Sequence, residues 1–131
     1  MNLERFPVFA ALGEEERELV AAAAEEVDVP AGEHLTREGD FGYQFFAIVE
    51  GRAEVRRDGQ LVGELGPGDV FGEVALLITG RRVASVTALT PMRLVVLFQH
   101  QFLRLERRVP VLGKLLREQS WNYLSSPGAS G

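Results

Sequence analysis

The sequence has no cysteine, which excludes disulfide scaffolds and thiolate metal centres. Histidine is nearly as scarce. His34 and His100 are the two present, and neither has a second ligand at chelating spacing, so no metal site is expected. No apolar run is long enough to cross a bilayer, and the N-terminus lacks the pattern of a secretory signal. The expectations are therefore no membrane span and a cytoplasmic location. Basic residues are few at the front of the chain: residues 1–28 carry eight acidic and two basic side chains. The net charge of −5 and that acidic front argue against a broad nucleic-acid surface. Residues 99–124 reverse the balance with five basic and two acidic side chains. Arg104, Arg107, Arg108, Lys114 and Arg117 there read as a solvated helix face.

What is present suits one domain. A chain of 131 residues, 46% hydrophobic and 25% charged, can bury a core without covalent staples. The run EEERELVAAAAEE at 14–26 reads as a helix. Its first turn is acidic, as the helix dipole favours, and Leu19, Val20, Ala23 and Val27 recur on one face. Pro30 and Gly32 then break the period. Residues 33–98 change character, with short apolar runs punctuated by turn residues. FFAIVEG (45–51) reads as a buried strand. AEVRRDGQLVGEL (53–65) reads as a hairpin turning at Asp58-Gly59. VASVTAL (83–89) and RLVVLF (93–98) read as further strands around Thr90-Pro91. Helical spacing returns with Phe102, Leu103 and Leu105. Pro110 then suits the first turn of a last helix, whose apolar face carries Leu112, Leu115, Leu116 and Tyr123. The fold class expected is mainly β with flanking helices: an antiparallel β-barrel or jelly roll with an N-terminal helix and C-terminal lid helices. The domain would span 1–124, leaving SSPGASG (125–131) as a flexible tail or linker.

The segment FGEVALLITGRRVAS, Phe71 to Ser85, carries the chemistry. EVALL (73–77) suits one helical turn, and a strand is expected near Val83. The first amides of a helical turn lack intrahelical partners and favour an anion. An arginine just before the next strand could close over the same anion with a forked pair of hydrogen bonds. A glutamate there would repel a phosphate unless it faces something else, and a sugar hydroxyl is a fitting partner for a pure acceptor. Gly72 would let the backbone come close. The implied ligand bears one phosphate and a nearby free hydroxyl. Alone, Glu73 would read as a solvated carboxylate and Arg82 as a surface cation; their shared register is what argues otherwise.

These residues closely resemble the phosphate-binding cassette of the cyclic nucleotide-binding domain family. That pattern is Phe-Gly-Glu, an apolar residue, a small residue, Leu, a variable stretch, Arg, two small residues and Ser or Thr. Here it is met by Phe71, Gly72, Glu73, Val74, Ala75 and Leu76, then Arg82, Val83, Ala84 and Ser85. The leading helix, the Gly39-Asp40 turn, Gly51, the Gly68-Asp69 turn and the closing helices fall in the family's order. The resemblance implies that Glu73 and the Gly72 backbone hold a ribose 2′-hydroxyl. It implies that Arg82 pairs with the cyclic phosphate and that the Ala75 and Val83 amides complete the cradle. Arg81 is assigned to solvent. Val55 and Leu65 would form a base wall, and Trp121, Tyr123 and Leu124 a lid. Family members selective for cGMP often have a hydroxyl residue after the arginine. Val83 has none, which favours cAMP, with cGMP the second candidate ligand.

The resemblance thus implies a non-enzymatic cAMP-preferring sensor without cofactor, relaying binding through its closing helices to an effector protein or domain. Two rivals are a metal-dependent jelly-roll enzyme, for which inward ligands are lacking, and a degenerate domain kept as an interaction module. The chain could equally be an excised regulatory piece of a larger protein. No helix-turn-helix pattern is read after Leu124, so nucleic-acid binding is not expected through this chain.

Overall fold

The computed structural model describes the backbone of residues 1–125 and the side chains of residues 1–120. Trp121, Tyr123 and Leu124, expected as lid side chains, and the expected tail beyond Ser125 lie outside that description. A 3-10 turn (Leu3–Arg5) leads into α1 (Pro7–Ala10) and α2 (Glu14–Ala23). Eight strands follow among the described residues: β1 (Glu25–Val29), β2 (His34–Thr36), β3 (Gln44–Glu50), β4 (Ala53–Arg57), β5 (Gln60–Leu65), β6 (Val70–Phe71), β7 (Ser85–Ala88) and β8 (Met92–Phe98). A short helical segment (Ala75–Thr79) interrupts them between β6 and β7, and α3 (Gln99–Arg108) and α4 (Pro110–Ser125) close the chain.

The strands form two four-stranded antiparallel sheets, ordered β1-β8-β3-β6 and β2-β7-β4-β5. This is the two-layer jelly-roll arrangement. The continuous apolar runs of β3 and β8 have a direct cause: both strands are buried on both faces. Phe46, Ile48, Leu94 and Val96 point between the sheets, where they meet Val55, Phe71, Val86 and Ala88. The alternating residues Phe45, Ala47, Val95 and Leu97 point outward into a second core built with the helices. There Phe6, Phe9, Val20, Phe102, Leu112 and Leu116 cover them, each such side chain contributing roughly 1.5–3 kcal/mol on burial.

The hairpin forms where expected. Asp58 and Gly59 both hold positive φ, 51° and 77°, the pairing that a two-residue hairpin turn requires. The helix read over 14–26 is shorter than expected. It ends at Ala23, Ala24 is already extended, and 25–29 pair with β8 from Glu25↔Val96 to Val29↔Met92. Val27, expected on the helix's apolar face, is instead an exposed strand residue. The β8 edge supplies a ladder that outweighs local helix preference. The strand expected from Val83 starts two residues later, at Ser85.

Candidate functional site

The 71–85 segment lies across both cores. Phe71 and Ala84 belong to the inter-sheet core, whereas Leu76 packs with the helices. The Phe71 ring stacks on Phe46 at 4.7 Å between centroids, fixing the end of β6. Gly72 follows with φ 91°. A Cβ there would lie 2.8 Å from both Arg82 Nη1 and the Gln44 carbonyl oxygen, so conformation and space both require glycine. The single helical turn expected over 73–77 is longer in the structure. Glu73 and Val74 are helical, and Ala75–Thr79 widens into a π-turn. Its closing bond runs from the Gly80 N–H to the Ala75 carbonyl at 2.9 Å. Such widened turns are uncommon and often accompany function.

Two opposite charges are buried where this segment folds back. Glu73 is 3% exposed. Its Oε1 accepts a hydrogen bond from Gln119 Nε2 of α4 at 3.2 Å, while its Oε2 is buried with no hydrogen-bond partner among the described residues. Burial pushes the Glu73 carboxyl from its ordinary 4.5 up to about 7, against smaller lowering effects from backbone and Gln119 hydrogen bonds and from Arg82. Arg82 is 6% exposed, and Nη1 donates to the Gly72 carbonyl at 3.1 Å. Burial lowers its pKa, and the charge of Glu73 partly restores it.

The backbone on either side holds Arg82 in place. Its N–H donates to the Asp40 carbonyl at 2.7 Å, and its carbonyl accepts from the Gly39 N–H at 2.9 Å. Thr36 pins the far end: its buried hydroxyl donates to the Ala84 carbonyl at 2.9 Å and accepts from the Val86 N–H at 3.1 Å. Arg81 turns the other way. Its guanidinium lies over the exposed Phe41 ring at 4.1 Å and donates to the Gly39 carbonyl at 2.9 Å. Of two adjacent arginines, Arg82 is the inward one. β7 begins only at Ser85, and the bend before it directs the Arg82 side chain inward.

Other predicted positions divide. Val74, Ala75 and Ala84 are buried, and Val83 is half-buried. Val55 (0% exposed) and Leu65 (7%) lie in the inter-sheet core with Phe71. A cavity of about 340 Å³ opens beside Arg82, lined by His34, Leu35, Thr36, Arg37, Asp40, Phe41, Tyr43, Gln44 and Phe98 as well; Gly72, Glu73, Ala75, Val83, Val55 and Leu65 do not line it. Among the described residues no group of three or more His, Cys, Asp or Glu could hold a metal, and no helix is long and apolar enough to cross a membrane. The residue that sequence reasoning missed is Gln119. Its signal was weak: Gln119 falls at i+7 and i+3 from Leu112 and Leu116, where a lone polar residue reads as the edge of an apolar face.

Comparison with known proteins matches residues 26–108 to the family model of the cyclic nucleotide-binding domain. The chain is 38% identical over 104 residues to a cAMP-dependent protein kinase regulatory subunit from Schizosaccharomyces pombe, covering 79% of this chain and 25% of that protein. It is 37% identical over 100 residues to the cGMP-dependent protein kinase egl-4 of Caenorhabditis elegans, covering 76% and 12%. In three dimensions it resembles the crystal structure of the Thermus thermophilus catabolite activator protein, with TM-score 0.81 and 32% identity over 90% of this chain and 58% of that one. The chain thus spans a quarter or less of the two kinase-related proteins.

Proposed function

Because this chain belongs to the cyclic nucleotide-binding domain family, we propose that it is a non-enzymatic, cytoplasmic sensor domain that binds cAMP in preference to cGMP. Arg82 takes the cyclic phosphate, helped by the Ala75 and Val83 amides, and Glu73 with the Gly72 backbone takes the ribose 2′-hydroxyl. One observation carries the reading: a buried carboxylate with an unpartnered oxygen stands beside a buried arginine. A ligand that brings an anion and a hydroxyl together would satisfy both. The preference for cAMP rests on Val83, whose side chain can neither donate to nor accept from a guanine edge. Binding would draw the closing helices onto the site and pass the change to an effector protein or domain. The ligand can drive that change only through its unequal affinity for the two states.

Calorimetry with cAMP, cGMP and AMP on one preparation tests this. The expected result is tightest binding for cAMP. Equal affinities, or tighter cGMP, would refute the base preference. No binding of any cyclic nucleotide would refute the sensor reading and leave an interaction module built on the same fold.

A further inference from the structure

The two oxygens of Glu73 are treated differently by the fold. Oε1 is held by Gln119 Nε2 at 3.2 Å; Oε2 is buried and has no partner among the described residues. Gln119 reaches this point from α4 (Pro110–Ser125), which is anchored below it by the fully buried Leu112 and Leu116. The next residue, Ser120, is also fully buried, and its hydroxyl donates to the Leu116 carbonyl at 2.8 Å. The Ser120 bond lies within α4, so the buried Leu112 and Leu116 are what seat the helix where the Gln119 amide reaches Glu73.

We propose that Gln119 is a positioning residue for hydroxyl recognition: by occupying Oε1 it orients the Glu73 carboxylate so that Oε2 alone is presented to a ligand hydroxyl. This rests on the cyclic nucleotide reading above and deepens it, because it makes α4 part of the ribose subsite rather than only a cover over the base. A carboxylate torsion is broad and roughly two-fold. Without a donor on Oε1 the carboxylate is free to swing towards the Arg82 guanidinium, the cation that acts on it, and acceptor geometry for the hydroxyl is lost. An amide is suited to the task. It donates to one oxygen without neutralising the carboxylate, as a second buried cation would.

The test compares cAMP with 2′-deoxy-cAMP by calorimetry at pH 8, on the wild-type chain and on Gln119→Met, which keeps length and volume and removes the donor. A hydrogen bond to an ionised acceptor predicts that the wild type favours cAMP over the deoxy analogue by roughly ten-fold or more. Gln119→Met should reduce that preference to about three-fold or less, while its affinity for 2′-deoxy-cAMP stays within about two-fold of wild type. A purely structural role would weaken both ligands alike, and that outcome overturns the proposal. So does an unchanged preference. If the wild type binds neither ligand, the cyclic nucleotide reading itself falls. A second readout needs no ligand: the Glu73 carboxyl carbon, followed by NMR, should titrate at higher pH in Gln119→Met than in wild type, and coincident titrations would refute the contact. Should Gln119→Met fail to fold, Gln119→Asn, too short by one methylene to reach Oε1, carries the same expectations.

Discussion

Replacing Glu73 by Gln isolates the cost of burying this carboxylate. The folded pKa of about 7 lies above the ordinary 4.5. Below pH 4.5 the group is protonated in both folded and unfolded chains, and its burial carries no ionic penalty. As pH rises from 4.5 to 7, the unfolded chain releases the proton while the folded one retains it, so stability falls. Above pH 7 the folded protein holds the charged form at full cost. A shift from 4.5 to about 7, at 1.36 kcal/mol per unit, makes that cost about 3 kcal/mol. Gln is close in shape and does not ionise. The stability of Glu73→Gln relative to wild type should therefore rise by about 3 kcal/mol between pH 4.5 and 8. Any constant difference from altered hydrogen bonding appears equally at both pH values. Urea denaturation of the ligand-free proteins at fixed ionic strength measures the quantity directly. Parallel stability curves for the two proteins would refute the argument, because they would mean that Glu73 titrates as an ordinary carboxyl and is not desolvated.

Arg82→Ala should weaken cAMP binding by roughly thirty-fold or more, since removing one partner of a buried charge pair typically costs about 2–5 kcal/mol. Arg81→Ala should change it by only a few-fold, because that cation is exposed and screened; the reverse order in a titration would place the phosphate at the other arginine. Gly72→Ala should both destabilise the fold and abolish tight binding, because the added Cβ meets Arg82 Nη1 and the Gln44 carbonyl at 2.8 Å. A variant with wild-type melting temperature and affinity would show that the backbone there can yield.

The hairpin over 53–65 was legible because the chemistry that makes it is local: two adjacent residues take positive φ and the strands pair across them. The final helix was legible for a similar reason, with Pro110 at its first position and leucines at helical spacing behind it. The spacing in 71–85 suggested that Gly72, Glu73 and Arg82 share one place, and the structure brings the three together. Less local features were not legible. β1 follows four alanines that favour helix, and only its pairing with β8, distant in sequence, makes it a strand. β6 has two residues, too few for any alternation to show. The π-turn at Ala75–Thr79 has no composition signal, because one extra residue per turn is set by how the segment is held at both ends. Gln119 was hidden by a different effect. Its partner lies 46 positions away, and a single polar residue on a helix face ordinarily reads as the edge of that face.

The two charged groups of the site are shifted towards neutrality by the same cause and restrained by each other. Burial raises the Glu73 pKa and lowers that of Arg82, and each charge opposes the shift of its neighbour. Their mutual attraction does not complete either group. Arg82 spends one N–H on the Gly72 carbonyl, and Glu73 retains an unpartnered buried oxygen. A free inorganic anion would answer the arginine and leave the carboxylate facing added negative charge. A neutral sugar would answer the carboxylate and leave the arginine as it was. Only a ligand that fixes an anion and a donating hydroxyl at the right separation relieves both at once. A rigid ring that joins them, as in a cyclic nucleotide, also brings that separation without ordering a flexible chain. It follows that the stabilisation conferred by cAMP at a fixed excess over its dissociation constant should exceed that from inorganic phosphate and ribose supplied together at the same concentrations. Thermal melts would show this as a shift with cAMP and little or none with the separated parts. Equal shifts would mean that Arg82 and Glu73 act as independent sites.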